Sequence, residues 1–215
     1  MTLINLNKLK FTIMKKICLI MMLICMIMVS CKPDGNDGKP QEHEYVDLGL
    51  SVKWATCNVG ANSPEDYGQY FAWGETCPKV EYTSDNSVTY EKTMNDIAGN
   101  DEYDAARANW GGEWRMPTKA EMQELIDNCI WTLTARNGVN GYNVEGSNGN
   151  SIFLPAAGGF AWSALNYVGS SGFYWCSTPS DGYYVDAYYL YFDSSNRRVH
   201  GISRIGGQSV RPVIE

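Results

Sequence analysis

Histidine is scarce in this chain of 215 residues, in which only His43 and His200 occur. A hydrolase triad needs a base with a positioned partner on each side, and a histidine metal cluster needs several imidazoles. The sequence also lacks a nucleophile elbow, a phosphate-binding glycine loop and a dinucleotide fingerprint. We therefore expect no enzymatic activity, no metal and no cofactor.

Basic residues are the second shortage. The chain has 17 lysines and arginines against 24 acidic residues. Residues 1–31 carry four of the lysines and no acid, so the remainder has a net charge near −11. Because so acidic a surface repels phosphate backbones, nucleic acid is not expected as a partner.

Long apolar runs are also missing, since the run at residues 17–29 is too short for a comfortable membrane span. Lysines precede this run, and the run ends in Met28-Val29-Ser30-Cys31, which has the pattern of a bacterial lipobox. The pattern predicts a lipoprotein signal at residues 1–31, with lipidation of Cys31. We expect the protein to touch the membrane through its lipid alone. An ordinary secretory signal cut near Ser30 is the alternative.

Residues 32–43 are polar, rich in glycine, proline and acids, and without apolar periodicity, which predicts a flexible tether. Residues 44–215 suffice for a single domain with its own core. Tyrosine, tryptophan and glycine are plentiful there and strong helix formers are few. This composition favours a turn-rich domain that contains β-structure.

The clearest helix signal begins at Thr118. Thr118 and Glu121 have the spacing of a capping box, and Pro117 forces an extended residue before it. An apolar stripe at helical spacing follows, formed by Met122, Leu125, Ile126 and Cys129. We expect Arg115 and Glu121 to form a charged clamp at the helix start.

Alternating patterns and turn signals predict the remaining elements. Strands are expected at residues 45–48, 52–56, 70–73, 131–134, 142–144, 152–154, 173–176, 187–192 and 208–213. Residues 101–108 predict a short helix, with Asp101, Glu102 and Asp104 at its start rather than in a calcium site. Residues 76–100 lack clear periodicity and are expected to form a long excursion, and residues 158–172, rich in glycine and serine, are expected to be exposed. The fold class predicted is α+β, with one or two helices on small twisted antiparallel sheets.

A family resemblance sharpens this expectation. Residues 114–121, Trp-Arg-Met-Pro-Thr-Lys-Ala-Glu, are similar to a signature of formylglycine-generating-enzyme-like and C-type-lectin-like domains. The chain after residue 44 resembles the Fibrobacter succinogenes major paralogous domain family of Bacteroidetes surface lipoproteins, through its runs at residues 45–57, 70–76, 147–157 and 209–213. The resemblance implies a C-type-lectin-like fold and an outer-membrane lipoprotein that is exposed on the cell surface. It does not imply formylglycine chemistry, which uses a pair of cysteines in the C-terminal part, where this domain has only Cys176.

Four cysteines of the domain, Cys57, Cys77, Cys129 and Cys176, lie in an oxidising compartment if the chain is exported. Two of them, Cys77 and Cys176, depart from the usual family pattern, which suggests a bridge between them. Buried free thiols are the alternative. Their spacing is not that of a zinc site.

The unusual composition lies near the C-terminus, where tyrosines crowd together with aspartate, serine, asparagine and arginine. Such residues dominate recognition loops, because tyrosine offers a large amphipathic surface at small entropic cost. We expect one exposed patch that binds an extracellular protein or glycan and is formed by Tyr184, Asp186, Tyr189, Tyr191, Arg197, Arg198, His200 and Arg204. If most of these side chains are buried, the segment is core instead.

Two alternatives remain open from the sequence. The aromatic strip could be an interface, which would make the protein a structural or assembly subunit of a surface appendage or complex. The segment from residue 183 to residue 207 is also rich in the residue types that diversity-generating retroelements write when they alter adenines in asparagine codons. A fixed, tyrosine-rich family segment explains the same composition.

Overall fold

The computed structural model describes residues 43–215, so the predicted signal peptide, the predicted lipidation site Cys31 and the predicted tether up to residue 42 lie outside the described residues. This part contains two helices, α1 (Ala105–Trp110) and α2 (Lys119–Asn128). Its strands are β1 (Tyr45–Val46), β2 (Lys53–Ala55), β3 (Ile130–Arg136), β4 (Val139–Glu145), β5 (Ser151–Pro155), β6 (Gly159–Ala161), β7 (Ala164–Asn166), β8 (Gly172–Pro179), β9 (Asp186–Phe192), β10 (Arg197–Ser203) and β11 (Val213–Ile214).

The strands form small antiparallel sheets in the orders β1–β2–β11, β3–β4–β5, β8–β9–β10 and β6–β7. Two helices accompany them, so the predicted α+β class is confirmed. Because β1 and β11 flank β2, the first and last strands of the described chain share one sheet. His43, expected in the tether, instead stacks on Trp110 with ring centroids 3.6 Å apart.

Helix α2 begins where the capping box predicts. The Thr118 hydroxyl accepts the Glu121 N–H at 3.3 Å, and the Glu121 carboxylate accepts the Thr118 N–H at 2.7 Å. Arg115 donates to both Glu121 oxygens at 2.9 and 2.7 Å, which confirms the expected clamp. Met122 and Leu125 are fully buried, so the apolar stripe faces the core as predicted.

Helix α1 begins at Ala105, a few residues after the predicted start, because Asp104 is its N-cap. The fully buried Asp104 carboxylate accepts N–H groups of Ala106 and Arg107 in the helix, and of Gly99 and Met116 outside it. Burial raises the pKa of Asp104 despite these donors. The side chain therefore ties a helix start to two loops.

The β8–β9–β10 sheet is packed on both faces. Tyr174 lies opposite Leu190, and both join the core that contains Leu125. Trp175 lies opposite Tyr189, and both join a second core with Trp73. Since consecutive residues of a strand point to opposite faces, both alternating sets of β9 are drawn into packing.

The C-terminal segment differs from its prediction. Residues 208–213 were expected as one strand, yet only Val213–Ile214 forms β11. The residues before it make single bridges to three separate places: Gly207 to Phe160, Gln208 to Phe71, and Ser209 to Tyr174. This segment makes one backbone bridge to each of several different segments instead of pairing with a single strand, so it does not form a continuous strand. Phe71 likewise forms an isolated bridge where a strand was predicted.

Two elements were not predicted at all. Strand β10 pairs with β9 along its whole length, and the β6–β7 hairpin lies in the glycine- and serine-rich stretch for which only exposure was expected. Neither segment alternates clearly between apolar and polar residues. Their pairing depends on the neighbouring strand rather than on their own pattern.

The suggested Cys77–Cys176 bridge is wrong, because Cys176 is a free thiol, as are Cys57 and Cys129. Cys176 lies in the core with no exposed surface, and burial raises the pKa of its thiol well above the usual value. Within residues 43–215, no helix has the length and apolar character needed to cross a membrane.

Candidate functional site

The eight predicted binding residues do not form one exposed patch. Tyr184, Arg197 and Arg198 are exposed, while Asp186, Tyr191 and His200 are half-buried. Tyr189 is only 3% exposed and Arg204 only 1%. The prediction is therefore wrong for Tyr189 and Arg204, which are parts of the core.

Arg204 is buried because it satisfies backbone carbonyls of distant segments. Its guanidinium donates to the carbonyl oxygens of Thr89, Lys92 and Asp186 at 3.2, 2.9 and 3.1 Å. It also lies 4.4 Å over the Trp73 ring centroid. Arg204 thus holds the loop around residues 89–92 against β9, so its role is to stabilise the fold.

The sheet register separates the remaining residues. Arg198 pairs with Tyr191 and His200 with Tyr189, so these four side chains share one face. Arg197 pairs with Phe192 and projects to the other face, where it lies 5.6 Å from the Trp131 ring centroid. An arginine pair adjacent in sequence is thereby divided between two surfaces.

The face shared by Tyr191 and His200 consists of paired groups. His200 Nε2 and the Tyr189 hydroxyl are 2.7 Å apart, and the Tyr191 hydroxyl donates to the Asp193 carboxylate at 2.7 Å. The Arg198 guanidinium lies 5.0 Å over the Tyr191 ring centroid. Burial and the charge of Arg198 lower the pKa of His200. These contacts hold Tyr189, Tyr191 and His200 in place, since their polar groups already have partners.

A cavity of about 240 Å³ lies beside this face, and the sequence analysis missed it. The β6–β7 hairpin, the start of β8, the end of β10 and residues 205–208 enclose it. Its walls are largely apolar, and five aromatic side chains contribute to them: Tyr82, Phe160, Trp162, Tyr167 and Phe173. A concave, mostly apolar cavity with aromatic walls and few polar groups is the usual form of a ligand site.

Two aromatic side chains of the cavity are strongly exposed and have an unusual backbone. Trp162 and Tyr167 are 65% and 66% exposed. Their φ angles are +59° and +62°, in the left-handed region, which costs an L-residue about 1–2 kcal/mol. Of the described residues other than glycine, only Asn137 shares this feature. Backbone strain of this kind is concentrated at functional sites.

Hydrogen bonds hold both strained residues in place. The Trp162 carbonyl accepts the Tyr82 N–H at 3.0 Å. The Tyr167 carbonyl accepts the N–H groups of Ser170 and Ser171 at 3.1 and 3.0 Å. The backbone is therefore fixed while the two rings remain available to solvent.

Gln208, one of the residues that line the cavity, has a buried polar atom without a partner. Gln208 is only 4% exposed, and its Oε1 atom accepts no hydrogen bond. Its amide lies against two glycines that also line the cavity: a β-carbon at Gly159 would be 2.7 Å from Oε1, and one at Gly206 would be 3.0 Å from Nε2. An orphaned buried acceptor costs about 1–3 kcal/mol, so a donor from a bound molecule would remove that cost.

Phe173 connects the cavity with the tyrosine-rich face. Its ring centroid lies 6.0 Å from that of Tyr167, 6.0 Å from that of Tyr189 in a stacked arrangement, and 5.3 Å from that of Tyr191. The predicted segment is therefore adjacent to the site but does not form its walls. The sequence signals that could have found it are Trp162 and Tyr167 in a glycine-rich stretch, and the run Gly206-Gly207-Gln208.

Residues 43–215 hold no group of three or more histidine, cysteine, aspartate or glutamate side chains arranged to bind a metal ion. Searches with the chain match no family model, no curated protein and no solved structure.

Proposed function

We propose that this chain is a lipid-anchored binding protein of the bacterial cell surface that has a C-type-lectin-like fold and recognises an extracellular ligand without catalysis. The fold proposal rests on the family resemblance together with the small antiparallel sheets and the capped helix after Pro117. The anchor proposal rests on the lipobox at Cys31.

One observation carries the binding function: the aromatic cavity with Trp162 and Tyr167 at its opening. A fold gains nothing by exposing two large rings on strained backbone, whereas a ligand site gains a rigid apolar surface. The unpartnered Gln208 Oε1 adds a polar group that can orient a ligand.

Glycan and protein arrays probed with the full-length protein test this function. The protein should be solubilised in a detergent without a sugar headgroup, so that detergent does not compete. We expect saturable binding to at least one array component, and loss of that binding in Trp162→Ala. Tyr183→Ala is the matched control, because Tyr183 is 71% exposed but lies outside the cavity. Binding that is unchanged in Trp162→Ala would remove the cavity from the function.

An assembly subunit is the second candidate, and one observation favours it. Strand β3 is an edge strand whose Ile130 and Leu133 are 67% and 55% exposed. Unprotected edges with apolar side chains can pair with another chain. Sedimentation of the full-length protein decides between the candidates: concentration-dependent oligomers that Leu133→Lys abolishes would favour assembly.

Diversification of the segment from residue 183 to residue 207 by a retroelement remains a proposal. Substitution is expected to be tolerated at the exposed residues Tyr184, Arg197 and Arg198. It is not expected to be tolerated at the buried residues Tyr189 and Arg204. A near-duplicate of the coding segment beside a reverse transcriptase gene would support it. In its absence the segment is a fixed surface.

A further inference from the structure

We infer that the cavity beside the β6–β7 hairpin takes one ring of a neutral carbohydrate, stacked on the exposed rings of Trp162 and Tyr167 and hydrogen-bonded through a hydroxyl to Gln208 Oε1. This inference rests on the proposed binding function and names the class of its ligand.

The charge of the walls selects a neutral ligand. None of the residues that line the cavity is acidic or basic. A charged ligand would lose its hydration on entry without gaining an ion pair, which is costly. A polyhydroxylated ring carries no net charge and retains most of its hydroxyls at the open side.

The arrangement of the rings is a platform rather than a cage around a cation. The inner rings are in contact with one another: Tyr82 and Phe160 stack at 5.3 Å, and Phe173 stacks on Tyr189 at 6.0 Å. Trp162 makes no ring–ring contact within the described part of the chain, and Tyr167 contacts only Phe173 there. Free aromatic area is therefore concentrated at the opening. The faces of aromatic rings are electronegative, so they attract the weakly positive C–H groups of a sugar face.

Gln208 supplies the polar complement. Its Oε1 atom is a buried acceptor without a donor and has almost no accessible surface, so the amide must turn toward the cavity before a sugar hydroxyl can donate to it. Gly159 and Gly206 leave space for the amide at the wall, since a side chain at either position would press on it. A purely apolar ligand would leave this acceptor unsatisfied and would bind less well.

The size of the cavity matches a single ring. Its volume of about 240 Å³ exceeds the roughly 150 Å³ of an engineered cavity that binds benzene. The space therefore holds one six-membered ring with its substituents, and further sugar units would extend into solvent.

Titration with methyl glycosides of neutral hexoses and N-acetylhexosamines tests the inference, using full-length protein in a detergent without a sugar headgroup. The signal is the indole N–H resonance of Trp162, which is assigned by its loss in Trp162→Ala. We expect at least one glycoside to shift this resonance saturably and to leave that of Trp110 unchanged. Gln208→Met, which keeps the length of the side chain but removes the acceptor, should weaken binding about tenfold. Leu165→Ala, in the same hairpin but outside the cavity walls, should bind as the unaltered protein does.

Three outcomes would overturn the inference. The Trp162 signal could respond to choline or to p-cresol but to no glycoside, which would indicate a cation or an aromatic side chain as the ligand. It could respond to none of these probes. A glycoside could bind Gln208→Met as tightly as the unaltered protein. If an array ligand still depends on Trp162 in these cases, only the carbohydrate assignment fails. If no array ligand depends on Trp162, the binding function fails as well.

Discussion

The amide of Gln208 occupies the space that a side chain at Gly159 would need, since a β-carbon there would be 2.7 Å from Oε1. Gly159 does not have a positive φ, so its backbone would accept alanine and the obstacle is steric alone. The glycine therefore sets the position of the acceptor in the cavity wall.

Gly159→Ala should move this amide and weaken ligand binding about tenfold or more, because the hydrogen-bonding geometry is lost. The free energy of unfolding should fall by about 1 kcal/mol, as for a typical point substitution. Isothermal titration and urea denaturation measure the two effects. Gly182→Ala is the control, because a β-carbon there would meet only Ser180 Oγ, at 3.8 Å. Unchanged binding in Gly159→Ala would contradict the role given to the Gln208 amide.

Substitutions at Trp162 can test whether its left-handed backbone is strained and whether its side chain binds ligand. At a left-handed residue glycine avoids the penalty of a β-carbon, so Trp162→Gly should be more stable than Trp162→Ala by about 1 kcal/mol. At Leu165, in β7, the order should reverse and alanine should be favoured by about 0.5–1 kcal/mol. Denaturant unfolding of the four variants provides the comparison. Neither variant at residue 162 should bind ligand. An alanine variant more stable than the glycine variant at residue 162 would show that the backbone there is not strained.

Arg204 and Arg198 were predicted to act together, but they should behave differently. Arg204→Met leaves three backbone carbonyls without their charged donor, and the free energy of unfolding should fall by at least about 3 kcal/mol. Arg198→Met, at an exposed position, should change it by less than about 0.5 kcal/mol. Thermal and urea unfolding measure both. A stable Arg204→Met variant would mean that loop 76–100 is held by other contacts.

The N-cap of α2 should be visible in stability without affecting the binding cavity. Thr118→Ala removes the acceptor for the Glu121 N–H and should lower the free energy of unfolding by about 1 kcal/mol. Thr118→Ser retains a hydroxyl and should recover most of the loss. Ligand affinity of the folded fraction should be the same in both variants. Equal stability of the alanine and serine variants would contradict the cap.

Glu121 should make stability depend on pH in the acidic range. Burial disfavours its charge, but hydrogen bonds from Arg115 and the Thr118 N–H outweigh burial, and the pKa of Glu121 is lowered. A carboxylate with a lowered pKa contributes stability above its unfolded pKa, and this contribution is lost as the pH falls through the folded value. The stability difference between the unaltered protein and Glu121→Gln should therefore be constant above about pH 5 and shrink below about pH 4. A difference that does not vary with pH would exclude the ion pair as its source.

Local structure was predictable from the sequence where the interacting residues lie within one short segment. Thr118 and Glu121 cap α2 through atoms three residues apart, and the stripe through Met122 and Leu125 follows from helical spacing alone. The α+β class followed in the same way from turn signals and alternation. The clamp between Arg115 and Glu121 was also within reach, because only six residues separate them.

Contacts between distant segments determined features that the alternation of apolar and polar residues does not predict. Strand β10 has no clear pattern of its own, and its register against β9 determines that Arg197 and Arg198 face opposite sides. Nothing in the sequence around Arg204 indicates that this charged side chain is buried. It is buried because it donates hydrogen bonds to the carbonyl oxygens of Thr89 and Lys92, which lie more than a hundred residues earlier in the chain. Composition favoured exposure for it, and distant hydrogen-bond acceptors reversed that preference.

The sequence by itself determined the capped helix α2, most of the strands and the acidic character of the domain, since these depend on neighbours in the chain or on composition. Only the tertiary structure decided which tyrosines are core, that Cys176 is a buried free thiol, and that Trp162, Tyr167 and Gln208 meet around one cavity. The physical reason is that the hairpin region with Trp162 and Tyr167 and the segment with Gln208 lie tens of residues apart in the chain and are brought together by bridges of Tyr82 to Trp162, of Phe160 to Gly207 and of Phe71 to Gln208. Such bridges join single residues and leave no periodic trace in the sequence.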